Sequence, residues 1–324
     1  MKTRNPSPAV SLRISVTDRC QFRCQYCMPP DGVPLAPRED VLRFEEIVAF
    51  AAAVHRFFGL ARVRITGGEP LIRRGIVGLV QELARLGIPD LALTTNAVRL
   101  PEMAGDLRLA GLARVNISLD SLDAATYRTL TCGGELPRAI AGVAAARQAG
   151  LAPAKLNMVV MRGLNDGQVV EMARFGMERG CVVRFLELMP LGPAAAHHDE
   201  WFVPSAEVRD RLASVFDLRP LTYEPGSSGR NYAAEDAEGR RGTIGFISPC
   251  SEPFCRDCRR LRLTSTGRLI GCLAQEAGTD VRAILRGPRP LDEARIAEAV
   301  EQALGVKRGV RHFAERRLMV RIGG

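Results

Sequence analysis

Short apolar runs alternate with stretches of helical period along the first 190 residues. Runs at 12–16, 62–66, 91–95, 114–118, 154–160 and 182–188 have the length of buried strands. Stretches at 44–58, 76–86, 101–110 and 137–149 carry apolar residues at helical spacing. Gly150 is a stop signal for the last of these, and Asp166 is placed to cap a further helix reaching Gly180. Repeated strand–helix alternation requires parallel strands with crossover helices, either closed partly into a barrel or spread as a doubly wound sheet. Residues 20–27, 67–70, 94–96, 118–120 and Met189 fall just past the C-terminal ends of the expected strands. Barrel enzymes build their sites on that rim, so the expected fold is α/β, a partial (βα)6 TIM-like barrel over residues 1–190.

Beyond residue 190 the rhythm breaks. A Gly-, Pro- and Ala-rich connector leads to one helix at 205–216, then to short segments at 218–223, 243–247, 261–264 and 268–270. Turn residues separate these segments, which predicts a small antiparallel sheet. Helical patterns return at 280–285 and 291–304, so residues 191–324 are expected to form a small C-terminal α+β region. No internal repeat or heptad pattern is visible.

Composition narrows the function. The 324 residues contain no run of about 18 uncharged apolar residues and no charged-then-apolar leader. A cytoplasmic protein with no membrane partner is therefore expected. In a reducing compartment, nine cysteines argue for metal ligation rather than a disulfide framework. The net charge of +9 calls for an anionic partner. Aromatic residues are few and arginines are scattered, which turns the expectation from nucleic acid toward a polyphosphate. Neither Gly-x4-Gly-Lys-Ser/Thr nor Gly-x-Gly-x-x-Gly occurs, so side-chain cations would have to hold the phosphates. Lys2, Lys155 and Lys307 stand out in a chain whose other basic side chains are arginine.

Six cysteines form two triplets. Cys20-x3-Cys24-x2-Cys27 directly follows the first strand-like run. Three thiolates on a [4Fe-4S] cubane leave one iron open to a ligand that is not protein. Zinc would want a fourth Cys or His close by, and the next histidine is His55. Cys255-x2-Cys258-x13-Cys272 is the second triplet. A second open cluster is the preferred reading; a zinc site is the alternative, with Cys250 available as a fourth ligand. Arg260 and Arg262, two apart within this triplet, would share one strand face suited to a phosphate chain. Arg13 and Arg64 lie on strands leading into rim motifs. His197-His198-Asp199 reads as a solvated loop, His55 and His312 as helix-surface or packing residues, and Cys132 and Cys181 as small apolar side chains.

The first triplet with Tyr26 resembles the radical S-adenosylmethionine (SAM) superfamily. Further blocks at 12–20, 64–71, 94–96, 116–120, 155–157, 161–166 and 187–190, the second triplet and Gly323-Gly324 together resemble the GTP 3′,8-cyclase family of molybdenum cofactor biosynthesis. The likeness covers nearly the whole chain. It implies two [4Fe-4S] clusters and SAM, with Cys20, Cys24 and Cys27 on the SAM cluster and Cys255, Cys258 and Cys272 on a cluster facing GTP. It implies SAM contacts from Tyr26, Gly68, Ser118 and Met189. It implies GTP contacts from Arg13, Arg64, Thr94, Lys155, Arg184, Arg260, Leu261 and Arg262. Gly323 and Gly324 would be a catalytic tail reaching into the site. The implied reaction takes hydrogen from C3′ of GTP with a 5′-deoxyadenosyl radical and joins C3′ to C8 of guanine. That gives 3′,8-cyclo-7,8-dihydro-GTP, the first step of the pathway. A flavodoxin- or ferredoxin-like one-electron reductant and a downstream cyclic pyranopterin monophosphate synthase are the implied partners, and a homodimer is left open. Ala97, Arg259 and Cys250 stand where the family pattern has glycine, asparagine and histidine, and residues 131–134 lack the usual arginine. A two-cluster enzyme acting on a peptide, and an electron-transfer or zinc-stabilised binding protein, are the competing readings.

Overall fold

A computed structural model describes residues 9–224, 226–274, 278–309 and 318–319. The expected tail, Gly323-Gly324, and His312 lie outside the described residues. The barrel strands are β1 (Val10–Ser15), β2 (Leu60–Thr66), β3 (Asp90–Thr95), β4 (Arg114–Ser118), β5 (Lys155–Val160) and β6 (Val182–Glu187). After them come β7 (Phe216–Pro220), β8 (Arg230–Asp236), β9 (Arg241–Ile247), β10 (Arg260–Leu263), β11 (Arg268–Ile270) and β12 (Thr279–Asp280). All join one sheet in the order β12-β11-β10-β1-β2-β3-β4-β5-β6-β9-β8-β7. The first helices are α1 (Phe44–Phe58), α2 (Ile76–Ala84), α3 (Leu100–Leu109), α4 (Ala124–Thr131), α5 (Leu136–Gln148) and α6 (Val169–Glu178). Then follow α7 (Pro193–Ala196), α8 (His198–Trp201), α9 (Ser205–Ala213), α10 (Arg282–Leu285) and α11 (Glu293–Gly305).

Strand periodicity divides the sheet into two faces. Val10, Leu12, Ile14, Val63, Ile65, Leu156 and Met158 are 0–1 % exposed and belong to the apolar core with α1, α2 and their neighbours. The alternate residues Arg13, Arg64, Lys155 and Asn157 take the other face and line the lumen of the curved sheet. The last segments do not form a sheet of their own. β9 pairs parallel to β6 and β10 parallel to β1, so they widen the barrel wall at its two ends. The antiparallel pairs β10–β11, β11–β12, β7–β8 and β8–β9 extend it further. Among the described residues the two outer edges do not pair, and residues 248–259 cross the open side from the end of β9 to the start of β10.

Several local expectations shift. α4 was invisible in the periodicity, yet the Asp123 carboxylate caps it by accepting from the Thr126 N–H at 2.7 Å. Asp166 does not cap α6; its carboxylate accepts from the Gly163 N–H at 2.8 Å and pairs with Arg211 at 3.0 Å. The connector is folded rather than a solvated loop. His198 Nε2 lies 3.2 Å from the Leu188 carbonyl, and His197 stacks on Trp201. Cys132 ends α4 at φ 54°, ψ 56°, a left-handed cap that suits glycine, and it is exposed. Cys132→Gly should therefore raise the unfolding free energy by about 0.5–1 kcal/mol in a urea titration. A loss of stability there would contradict this account of the cap.

Candidate active site

The first triplet occupies the mouth at the C-terminal ends of β1–β6. Its loop is docked through backbone. The Gly68 N–H donates to Thr17 O at 2.7 Å and the Glu69 N–H to Arg19 O at 2.8 Å. A Cβ on Gly68 would stand 2.2 Å from Arg19 O, so only glycine allows this approach. The Glu69 carboxylate is buried and accepts from Thr95 Oγ1 at 2.7 Å, the Asn96 N–H at 2.8 Å and the Leu71 N–H at 3.0 Å. Burial pushes it up to about 7 against those hydrogen bonds. Asn96 Oδ1 in turn accepts from Gln21 Nε2 at 3.2 Å, tying the β3 turn to the cysteine loop. Ala97 has φ 68°, which explains the glycine expected there; Gly142 makes room, since a Cβ on it would meet Ala97 O at 2.2 Å.

On the far side of the loop, Tyr26 donates its hydroxyl proton to Asp120 Oδ2 at 2.8 Å, and Asp120 Oδ1 accepts from the Val159 N–H at 2.9 Å. Burial pushes Asp120 up to about 6. The Arg23 and Gln25 N–H groups donate to Thr131 and Leu130 O at 3.1 and 3.0 Å. None of Cys20, Cys24 and Cys27 is in a disulfide. Burial pushes Cys20 up to about 11, and burial followed by the charges of Cys27, Asp120 and Cys20 pushes Cys24 higher than usual. The thiols thus feel one another. Among the described residues, however, no three His, Cys, Asp or Glu side chains are placed to hold a single metal ion. Three thiols on one loop with no fourth Cys or His in it suit a cubane, which takes one thiolate per iron and can leave one iron open. Ser118 ends β4 and Met189 follows β6, both half-buried at this mouth.

Below the mouth the lumen is lined by cations. Register places Arg262, Arg13 and Arg64 side by side across β10, β1 and β2, with Arg260 one lumenal position below Arg262. A second row joins Thr94, Asn116 and Lys155 across β3, β4 and β5. Arg184 follows on β6 and is 7 % exposed. Asp90 neutralises Arg62 and Arg114, each at 2.6 Å. Elsewhere the cations repel: burial, then Arg262 and Arg260, holds Arg13 well below its ordinary value. Burial, then Arg13, Arg114 and Arg184, does the same to Arg64. Nε of Arg64, Arg184 and Arg260 is buried without a hydrogen-bond partner among the described residues. Leu261 has its side chain in the apolar core beside Leu12, leaving only its backbone for any lumenal contact.

Burial, then Arg184, Arg114 and Arg64, pulls the Lys155 ammonium down to about 7. A bound polyanion restores its proton. Nucleotide binding at pH 8 should therefore take up protons, and affinity should fall as pH rises through 7. Calorimetry in buffers of different ionisation enthalpy reads this directly, and Lys155→Arg, always charged, should abolish the uptake. Identical proton uptake in both proteins would remove Lys155 as the cause.

The second triplet occupies the opposite mouth. Cys258 precedes β10, which runs parallel to β1, and β11 folds back, returning Cys272 to the same end. The length of β1, about 20 Å, separates the two mouths. The Cys255 thiol is pushed up by burial, then by Cys272 and Cys258. Burial also opposes ionisation of Cys258, but the Arg260 and Lys307 cations outweigh it and hold that thiol below its ordinary range. Lys307 was not foreseen as a site residue. It donates to Arg260 O, Gly271 O and, at 3.6 Å, Cys258 Sγ, so it braces both arms of the triplet. Its rarity in an arginine-dominated chain was the one available signal. Cys250 is held elsewhere: its N–H donates to Glu187 Oε2 at 2.9 Å and its thiol to Leu188 O at 3.6 Å. The four-cysteine alternative therefore loses its fourth ligand.

Comparison with known proteins gives the family. Residues 14–176 match the Radical SAM superfamily, and residues 181–313 match Molybdenum Cofactor Synthesis C. The GTP 3′,8-cyclase of Geobacter sulfurreducens is 45 % identical over 300 residues, covering 91 % of this chain and 89 % of that protein. That of Moorella thermoacetica is 43 % identical over 322 residues, covering 97 % of each. Among solved structures, Streptococcus suis SuiB bound to precursor peptide SuiA aligns with TM-score 0.59 at 16 % identity, over 88 % of this chain and 66 % of that one. This last likeness carries the fold alone. Among the described residues no helix is long and apolar enough to cross a membrane. With both halves matched and relatives this similar along its length, the chain belongs to the GTP 3′,8-cyclase family of the radical SAM superfamily.

Proposed function

We infer that this chain converts GTP to 3′,8-cyclo-7,8-dihydro-GTP, the first step of molybdenum cofactor biosynthesis. The observation that carries the reading is a lumen lined by mutually repelling cations between two cysteine triplets at opposite mouths. Relatives named GTP 3′,8-cyclase support it. Cys20, Cys24 and Cys27 would hold the [4Fe-4S] cluster that the superfamily implies, and with SAM bound it would supply the radical chemistry needed to activate C3′ of the substrate for bonding to C8 of guanine.

The protein's own share is positioning and exclusion of water. Cys20, Cys24 and Cys27 hold the first cluster, and Tyr26, Gly68, Ser118 and Met189 frame SAM. Gly68 acts by backbone, since a side chain there has no room. Arg13, Arg64, Thr94, Lys155, Arg184, Arg260, Arg262 and the Leu261 backbone hold GTP, the cations gripping its phosphates. Cys255, Cys258 and Cys272 would hold a second [4Fe-4S] cluster, which with three protein ligands would supply a binding position for the guanine. Residues 1–190 thus make the radical, and residues 191–324 carry the second cluster and complete the substrate site. Gly323 and Gly324 act as the catalytic tail. A flavodoxin- or ferredoxin-like one-electron donor delivers two electrons per turnover, one to cleave SAM and one that, with a proton, closes the shell of the cyclised nucleotide, and a cyclic pyranopterin monophosphate synthase consumes the product.

Anaerobic incubation with SAM, a low-potential reductant and GTP tests the reading. We expect 5′-deoxyadenosine and a cyclised nucleotide in step with GTP, little of either with ATP, and about eight irons per chain. Deoxyadenosine formation indifferent to GTP, with the nucleotide recovered unchanged, would rule the reading out.

A further inference from the structure

One lumenal row holds polar atoms that no described residue satisfies. Register joins Ser118 to Asn157, Asn157 to Arg184, Arg184 to Gly245 and Gly245 to Asn231, across β4, β5, β6, β9 and β8. Directly paired residues share a face. That face is lumenal, because the intervening Leu156, Val183, Phe185, Ile244 and Phe246 are buried in the apolar core. Asn157 Oδ1, Arg184 Nε and Asn231 Oδ1 are all buried without a hydrogen-bond partner. Gly245 permits the arrangement. A Cβ there would lie 2.6 Å from Asn231 Oδ1 and 3.3 Å from Arg184 Cγ, so the asparagine leans over the glycine toward the arginine.

Buried amide oxygens without partners are rare in folded proteins, and here two flank one cation in the same row. The chemistry of a nucleotide decides what satisfies them. Its triphosphate offers acceptors only and suits Arg184 but neither amide oxygen. Guanine N–H groups belong, on the reading above, to the mouth beside the second triplet. The ribose hydroxyls remain, and each can donate. Asn157 lies two residues, about 7 Å, beyond Lys155 toward the first-triplet mouth, where the sugar carbon that loses hydrogen has to face. β5 and β8 are three strand spacings apart, about 14 Å. Both asparagines reach into the lumen from that curved wall, one on each side of Arg184 in the row.

We propose that Asn157 and Asn231 accept hydrogen bonds from the 2′- and 3′-hydroxyls of the substrate ribose. Through them the site selects ribonucleotides over deoxyribonucleotides and aims the sugar at the first triplet. The proposal rests on the GTP reading.

The test is equilibrium dialysis, anaerobically, of the cluster-loaded, SAM-bound enzyme against GTP, 2′-deoxy-GTP and 3′-deoxy-GTP. Wild type should bind each deoxy analogue at least about fivefold more weakly than GTP. Asn157→Ala and Asn231→Ala should weaken GTP by a similar factor, and each variant should lose nothing further when its matching hydroxyl is already absent. A merely structural asparagine would lower affinity for all three nucleotides alike, and such additive losses overturn the proposal. Equal affinity of wild type for the three nucleotides overturns it without any variant. Absence of GTP binding by wild type would bring down the GTP reading and this proposal with it.

Discussion

Gly68→Ala should abolish 5′-deoxyadenosine formation, at least about 100-fold, and roughly halve the iron content while the barrel stays folded. The new Cβ would sit 2.2 Å from Arg19 O, against backbone that has no rotamer to yield. Arg19 lies next to Cys20, so relief must come from moving the cysteine loop. Doing so breaks the Gly68 N–H to Thr17 O and Glu69 N–H to Arg19 O hydrogen bonds. The defect should reproduce that of replacing Cys20, Cys24 and Cys27 by alanine, although Gly68 offers no thiol. The second triplet, about 20 Å away at the other mouth, should keep its iron. Iron analysis and product assay on the same preparation read both effects. A Gly68→Ala enzyme with full iron and activity would show that the loop tolerates displacement, and the docking argument would fall.

Glu187→Ala should cost about 3–5 kcal/mol of stability. Its carboxylate is 3 % exposed, and it gathers four donors. Oε1 accepts from the Ser205 N–H at 2.9 Å and from the Ser251 hydroxyl; Oε2 accepts from the Cys250 and Ser251 N–H groups at 2.9 and 3.0 Å. One side chain therefore joins the end of β6 to the start of α9 and to the segment crossing the open barrel. Alanine strips the buried Ser205 N–H of its acceptor, at about 1–3 kcal/mol, and unties the half-buried Cys250 and exposed Ser251 donors, which water satisfies in part. Glutamine keeps an acceptor and the shape, so Glu187→Gln should recover about half. Denaturant unfolding of both variants under anaerobic conditions separates these values, and equal losses would mean that the charge, rather than the acceptor geometry, holds the junction. Because Cys255 and Cys258 lie on the same crossing segment, iron bound at the second triplet should fall with Glu187→Ala even where the chain remains folded.

The parts of the site legible in the sequence were those written in local spacing. Strand alternation put Arg260 and Arg262 on one face, and in the structure Leu261 between them is buried in the core. The rim motifs emerged because a parallel strand must end where its loop begins. α4 escaped because its eight residues carry polar threonines and an arginine among few apolar positions, and what fixes it is the Asp123 cap and packing of Tyr127 and Leu130. The short helices after residue 192 escaped for a related reason: Gly, Pro and Ala promise a connector, while contacts such as His198 to Leu188 O are tertiary. Lys307 and Asn231 escaped because neither sits in a spacing that means anything until its neighbours are known.

What the sequence by itself determined is the chemistry available: two triplets of thiols, an apolar and a polar face for each barrel strand, and cations without a phosphate-binding glycine loop. These follow from covalent order and from the two-residue period of a strand. Only the tertiary structure decided where the chemistry stands. β10 pairs parallel to β1 and β11 turns back, and those two pairing directions put the second triplet at the mouth opposite the first. The row from Ser118 to Asn231 likewise exists only through the register of five strands, two of them joined from the far end of the chain. Pairing direction and register are settled by which faces must be buried together, a property of the assembled core that no single segment contains.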